Sequence, residues 1–343
     1  MFAAPARAMA WPGGACYPLP MRSPLVLLLA MGQLLGGSLL FGCEPDNPSQ
    51  DSDDSAAPDP AEVELAGACS LATDLGGFSV LVEDDQAGID GAVADGVVPI
   101  SVLEEIAAEG DCRLMRRNNP FCDPACEPGE TCDFDGTCLP YPVNQDLGTV
   151  TITGLASPVA MEPVFPGNTY YNTELPAPPF DGGDLITLDM PGGVYGPATL
   201  YGVGVEPVVS LDEEWAVEAG VDMLVHWQAP AGAVSRGEVS LSVNIDQHGT
   251  TPGTLWCVFE DDGEATVPAG ILQTLVATGV TGYPSGAVQR RTQDSAELEL
   301  GCMDFTVSST VTVDVDVIGY TSCISDADCP EGQECNEELQ ICE

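Results

Sequence analysis

The sequence predicts a mainly β protein: an antiparallel β-sandwich with small disulfide-rich modules and one or two short helices. Three observations point there. Between residues 148 and 320, short runs that alternate apolar with polar residues or are rich in Val, Ile and Thr are separated by turn residues. The chain holds 38 glycines and 29 prolines, and long amphipathic helical patterns are scarce. Two compact clusters of four cysteines each flank the strand-rich region.

The first element is a leader. Residues 25–42, LVLLLAMGQLLGGSLLFG, are apolar or small except Gln33 and Ser38, and Arg22 precedes them. This is a short basic region followed by an apolar one, as in a signal peptide over 1–42, with Met21 as the alternative start. A retained membrane span is the other reading, but the run is at the lower length limit for a spanning helix, about 18 residues, and its glycines weaken it. The tetrad Leu40-Phe41-Gly42-Cys43 resembles the bacterial lipobox, with Phe41 where a smaller residue is usual. The resemblance implies a diacylglyceryl group on the Cys43 sulfur, cleavage after Gly42 and acylation of the new amine. Two or more acyl chains hold a protein stably at a bilayer. Glu44 after the cysteine favours, by analogy with Gram-negative sorting, the outer membrane.

Residues 43–66 follow as a lipidated cysteine and acidic tether. The stretch 44–62 contains seven acids, four prolines, no base and no aromatic residue. It cannot form a core, and charge and proline extend it. Its reach is at most about 60 Å, from ~3.3 Å per residue.

Charge excludes one function class. The chain has 54 acids and eight arginines, and lysine is absent; two of those arginines, Arg7 and Arg22, precede Cys43 and none of the acids does. From Cys43 onward six arginines face 54 acids, a formal charge of −48. Such a body is repelled by nucleic acid and by anionic headgroups.

Setting aside Cys16 and Cys43, twelve cysteines remain: Cys69 and Cys112; Cys122, Cys126, Cys132 and Cys138; Cys257 and Cys302; Cys323, Cys329, Cys335 and Cys342. Every group is even, as expected if each module closes its own bridges. Export makes disulfides the default, and the spacings fit poorly the paired ligands of a structural zinc site. The two clusters of four resemble short EGF-like or Dickkopf-like knots of bacterial surface proteins, at 122–147 and 321–343. Modules this small need covalent links. Four cysteines allow three connectivities, of which first-to-third with second-to-fourth is the expectation.

Residues 67–121 read as a small β/α module and residues 148–320 as the sandwich. Strands are expected at 148–154, 184–190, 222–228, 237–245, 254–260, 296–305 and 310–319. Pro-Gly-Gly at 191–193, Thr-Pro-Gly at 251–253 and Asp-Asp-Gly at 261–263 punctuate them. Cys257 and Cys302 could join two strands across the core, with Trp227 and Trp256 packing there. One helix is expected over 267–279, started by Pro268 and stopped by Gly279. Residues 95–110 echo residues 262–279, which predicts a second helix with Ser101 and Glu104 as its capping box.

Catalytic patterns are thin. The sequence holds two histidines, His226 on an expected strand and His248 at an expected turn, with no G-x-S-x-G and no H-E-x-x-H. Both histidines read as structural. Asp314 and Asp316 alternate with valines and read as a solvated strand face. Calcium held between loops would use Asp261, Asp262 and Glu264, or Asp133 and Asp135; apart from that alternative no cofactor is expected. Arg290-Arg291 and Arg116-Arg117 are expected in internal ion pairs.

Together the lipobox, tether, knots and β body resemble cysteine-rich surface lipoproteins of Gram-negative bacteria. The resemblance implies an architecture rather than an activity. The leading reading is a non-enzymatic envelope lipoprotein that displays a β-sandwich for binding, adhesion or a structural role. Its partners would be the membrane, through the lipid, and a protein or glycan ligand. The alternatives are an extracellular hydrolase using acidic residues and a calcium-dependent binding module.

Overall fold

The computed structural model describes residues 59–83, 86–99, 102–117, 120–231, 237–246 and 253–343. The leader, Cys16, Cys43, most of the tether, Ser101 and His248 lie outside the described residues. The first strands are β1 (Asp74–Glu83), β2 (Gln86–Val93), β3 (Leu103–Glu109), β4 (Cys112–Arg117), β5 (Glu130–Cys132) and β6 (Cys138–Pro140). Then come β7 (Val150–Thr153), β8 (Val159–Met161), β9 (Tyr170–Asn172), β10 (Leu185–Met190), β11 (Ala198–Val203), β12 (Glu214–Val217) and β13 (Met223–His226). The chain continues through β14 (Glu238–Asn244), β15 (Gly253–Glu260), β16 (Glu264–Val267) and helix α1 (Ala269–Ala277). Two long strands follow, β17 (Ser285–Leu298) and β18 (Gly301–Val317), and then β19 (Cys335–Asn336) and β20 (Ile341–Cys342).

A ten-stranded sheet runs β3-β4-β15-β14-β17-β18-β1-β2-β9, with β12 also paired to β18. A four-stranded sheet runs β11-β10-β7-β8, and β13–β16, β5–β6 and β19–β20 form two-stranded ladders. The mainly β class therefore holds, with α1 the one α-helix among the described residues. The large sheet is mixed, because β1 and β12 run parallel to β18.

Two apolar cores sit along one shared hairpin. β17 and β18 pair from Ser285↔Asp314 to Leu298↔Gly301. Val313, Val315 and Val317 of β18 enter the first core with β12–β16 and α1. Met303, Phe305 and Val307 of the same strand enter the second, with β1, β2, β7 and β10. The inward positions of β17 read Val288, Arg290, Thr292, Asp294 and Ala296, so a polar seam lies between the cores. That seam grips the segment leading from β11 to β12. Thr292 Oγ1 donates to Val203 O at 2.8 Å, and Val208 N–H donates to Ser309 Oγ at 3.1 Å.

Several expectations are corrected here. The described residues of 67–121 form no sheet of their own: β1 and β4 lie in the large sheet against β18 and β15. The two groups of two therefore do not close within themselves. Cys112 bonds to Cys257 and Cys69 to Cys302. The reason is register: Cys112 stands directly opposite Cys257 in the β4–β15 ladder, and Cys302 N–H donates to Thr73 O where the chain turns into β1. Cys257 and Cys302 thus face N-terminal partners and do not bond to one another. In both knots the first cysteine joins the third and the second the fourth: Cys122–Cys132, Cys126–Cys138, Cys323–Cys335 and Cys329–Cys342.

The second helix is a strand. LEEIAAE at 103–109 has helix-forming composition, but the ladder to β4 and the cover of α1 override it. The expected strand 296–305 is the turn of the long hairpin, with Glu299 and Leu300 between β17 and β18. Trp227 is buried, whereas Trp256 is 38% exposed. Alternation decides this: Cys257 faces inward, so Trp256 faces out, where it covers Arg291 at 5.4 Å. The helix after Pro268 forms as read, ending at Ala277 with Gly279 at φ 113°.

Candidate functional site

The first knot forms one wall of a groove of about 710 Å3. Its hairpin β5–β6 is too short to bury a core, and the bonds Cys122–Cys132 and Cys126–Cys138 hold it. The turn at its tip closes through Gly136 N–H to Asp133 O. That turn points Phe134 outward, and β6, with Leu139 and Pro140, leads on to Tyr141. The other wall is the segment after β2, with Val97, Pro99 and Val102.

The floor is pinned by pairing. Asp95 N–H donates to Val143 O at 3.1 Å, and Gln145 N–H to Val93 O at 2.8 Å. Asp95 Oδ1 accepts Val143 N–H at 2.7 Å, and its Oδ2 accepts Gln145 Nε2 at 3.0 Å. Tyr195 Oη donates to Ala94 O at 2.6 Å from below. Four apolar side chains nonetheless stay open to solvent along the groove: Phe134, Leu139, Tyr141 and Val143 are 46%, 41%, 50% and 57% exposed. Such a patch on so acidic a surface marks a place for contact. The run Leu-Pro-Tyr-Pro-Val at 139–143 was the signal in the sequence: prolines hold a chain extended and an outward Tyr between them has no core to enter.

The calcium candidates divide. Asp133 lines the groove, and its Oδ1 accepts Phe134 N–H at 2.8 Å. Thr137 donates both its hydroxyl and its amide to Asp135 Oδ1, which holds that carboxyl below the usual range. Asp262 Oδ1 accepts Glu264 N–H at 3.4 Å in the β15–β16 turn. Asp261 lies inside instead. Its carboxylate takes Arg290 Nε at 2.6 Å, Arg290 Nη2 at 3.0 Å and Trp227 Nε1 at 2.9 Å. Both charged side chains are 1% exposed, so Asp261 serves an internal ion pair. Among the described residues, every group of three or more candidate ligand atoms in close range contains disulfide cysteines.

The remaining expectations fall into place singly. Arg291, largely buried, pairs with Glu238 at 2.8 Å, whereas Arg116 meets Glu104 at 3.3 Å on the surface and so forms no internal pair. Asp314 and Asp316 lie exposed on β18 between buried valines. His226 Nδ1 is 3.1 Å from Asp212 Oδ1, and its amide donates to Asp212 Oδ2 at 2.7 Å. Ser210 is close in sequence, but its hydroxyl donates to Asp212 O at 2.9 Å. The imidazole thus braces the β12–β13 region, as a structural histidine does. No helix among the described residues is long and apolar enough to cross a membrane.

No protein-family model matches the chain, and no curated protein matches it. Among solved structures it is similar to the FN1–FN3 domains of chicken CNTN1, at 6% identity over 62% of this chain and 65% of that one, TM-score 0.18. A tetra-tandem repeat from the extending region of a large adhesion protein matches at 12% identity, over 72% and 76% of the two chains, TM-score 0.17. A Ca2+-stabilized adhesin with which an Antarctic bacterium binds ice matches at 13%, over 75% and 79%, TM-score 0.17. Superpositions this loose identify neither a fold family nor a ligand.

Proposed function

We propose that the chain is an exported, non-enzymatic envelope lipoprotein, in which a lipidated Cys43 and an acidic tether carry a rigid β body used for binding or adhesion. The observation that carries this reading is how the tether end is fastened. Ala66 N–H donates to Asp294 Oδ1 at 2.9 Å, Cys69 N–H donates to Asp304 Oδ1 at 2.7 Å, and Cys69 bonds covalently to Cys302. All three partners belong to the β17–β18 hairpin, which runs through both cores. A load arriving along the tether therefore enters the centre of the sheet and bypasses its edges.

Two further features support the reading. Six disulfides suit an oxidising, exported setting. A mature charge of −48 leaves no electrostatic route to anionic lipid, so acyl chains would supply the attachment. Mass spectrometry of the mature N-terminal peptide tests the proposal, with diacylglyceryl-cysteine at Cys43 as the expected species. Cys43→Ala should move the protein from the membrane to the soluble fraction. An unmodified chain starting at Met1 or Met21 overturns the anchor.

A further inference from the structure

We infer that the groove between the first knot and the segment after β2 takes an extended, positively charged polypeptide segment bearing prolyl or branched aliphatic side chains. The inference rests on the display reading above and names the class of partner displayed to.

Shape and surface chemistry give the first half of the argument. Pro99, Phe134, Pro140, Tyr141 and Pro142 line the groove. Flat aromatic faces and proline rings set side by side match an extended chain, whose side chains project at intervals and whose backbone stays solvated. Disulfides fix one wall and the Asp95–Val143 pairing fixes the floor, so little ordering cost falls on binding.

Charge gives the second half. The knot, residues 122–147, holds six acids and no base. Asp95 and Asp133 line the groove itself. Hydrogen bonds from neighbouring amides orient these carboxylates without cancelling their charge. A basic segment is drawn to such a surface, and an acidic one is turned away. That disfavours the proline-containing segment of the chain itself, residues 44–62, with seven acids and no base. It equally disfavours a second copy of a body carrying −48.

The test is selection of a displayed random library of ~12-residue peptides on the full mature, disulfide-intact protein, at about 50 mM salt. Groove-dependent sequences are expected to be rich in Arg or Lys together with Pro, Leu, Ile or Val. Substituting Phe134→Ala and Tyr141→Ala together should weaken a selected peptide by at least about tenfold. Both side chains are substantially exposed, so the fold should survive, and unchanged Cys122–Cys132 and Cys126–Cys138 bonding checks it. Raising salt to about 300 mM should weaken binding severalfold. Selected peptides without a basic excess, or binding indifferent to the double substitution, overturn the inference. With Cys43 found lipidated, failure to select any groove-dependent peptide overturns the groove assignment alone. Groove-dependent basic peptides on a protein with unmodified Cys43 overturn the anchor alone.

Discussion

Arg290 holds its charge in the middle of the molecule, and every polar hydrogen of its guanidinium side has a use. Besides Asp261, it donates to Glu206 O at 3.1 Å, Pro207 O at 3.2 Å and Gln228 O at 2.7 Å, so it ties three segments to β17. A buried pair costs desolvation, and removing one partner leaves the other charge stranded. Asp261→Asn is therefore expected to lose about 3–5 kcal/mol in denaturant unfolding. Replacing both residues by apolar ones should cost much less. Equal losses for the two variants would show that stranded charge is not the cause. Asp304 poses a different question at the same scale. Burial, foremost, pushes its carboxyl above the ordinary value of 3.8, against the lowering effect of the Cys69 amide. The folded state then holds the proton more tightly than the unfolded chain. Between the two values stability falls as pH rises, and above the folded value the ionised group remains a cost. Asp304→Asn should raise Tm at pH 7, with the gain shrinking as pH falls through the raised value. Thermal melts across that range check this, and a gain that does not vary with pH would sink it.

Elements here are decided by their neighbours as much as by their composition. β3 carries Glu104 and Glu105 along an open sheet edge and is backed by α1, whose Ile271, Leu272 and Leu275 enter the first core. Charged residues and a covering helix blunt an edge that would otherwise pair with another chain. The entry into β1 depends on glycine. Gly76 has φ 100°, and a Cβ on Gly77 would lie 2.0 Å from Asp304 O, so only Gly-Gly lets the chain bend in beside β18. On β17 the same logic makes a prediction. A Cβ on Gly286 would meet Trp215 Cζ3 at 2.5 Å and Val315 Cγ2 at 3.2 Å. Trp215 is 1% exposed and has no free side to move toward. Gly286→Ala should cost about 1–3 kcal/mol by overpacking. Equilibrium unfolding measures it, and a neutral result would mean that the indole has room to yield.

At the scale of the whole molecule, the two long-range disulfides define what can come apart. Cys69–Cys302 spans 233 residues and encloses Cys112–Cys257, which spans 145. Pulled from its two ends, the oxidised protein can extend only outside residues 69–302. Opening the outer bridge alone, as in Cys69→Ser with Cys302→Ser, frees at most the 88 residues by which 233 exceeds 145. That is on the order of 300 Å at ~3.4 Å per residue. Full reduction should free on the order of 800 Å by the same rule. Single-molecule stretching distinguishes the three lengths. An oxidised protein that already yields the longest extension would mean that these bridges do not carry the load. The outer bridge should also contribute about 2–5 kcal/mol to stability through the loop it closes.

What the sequence determined by itself is local. Alternation placed β7, β10, β13, β14, β15 and the far end of β18, and Pro268 and Gly279 bounded the helix, while the close spacing of the cysteines in each knot pointed to short-range bonding. Acid content argues against a nucleic-acid role, and the apolar-to-acidic junction at Cys43 motivates the anchor proposal. Tertiary structure decided everything that depends on which distant strands meet. Nothing in the residues around Cys69 or Cys112 names Cys302 or Cys257 as a partner, because that choice follows from β1 and β4 joining a sheet built by the other half of the chain. Asp261 reads as a loop acid until Arg290, 29 positions away, is brought against it in the seam between two cores. The groove likewise exists only because the floor pairing sets residues 139–143 beside Asp95, Val97, Pro99 and Val102. Side-chain period and turn chemistry act over a few residues, whereas register between strands is fixed by packing across the whole fold.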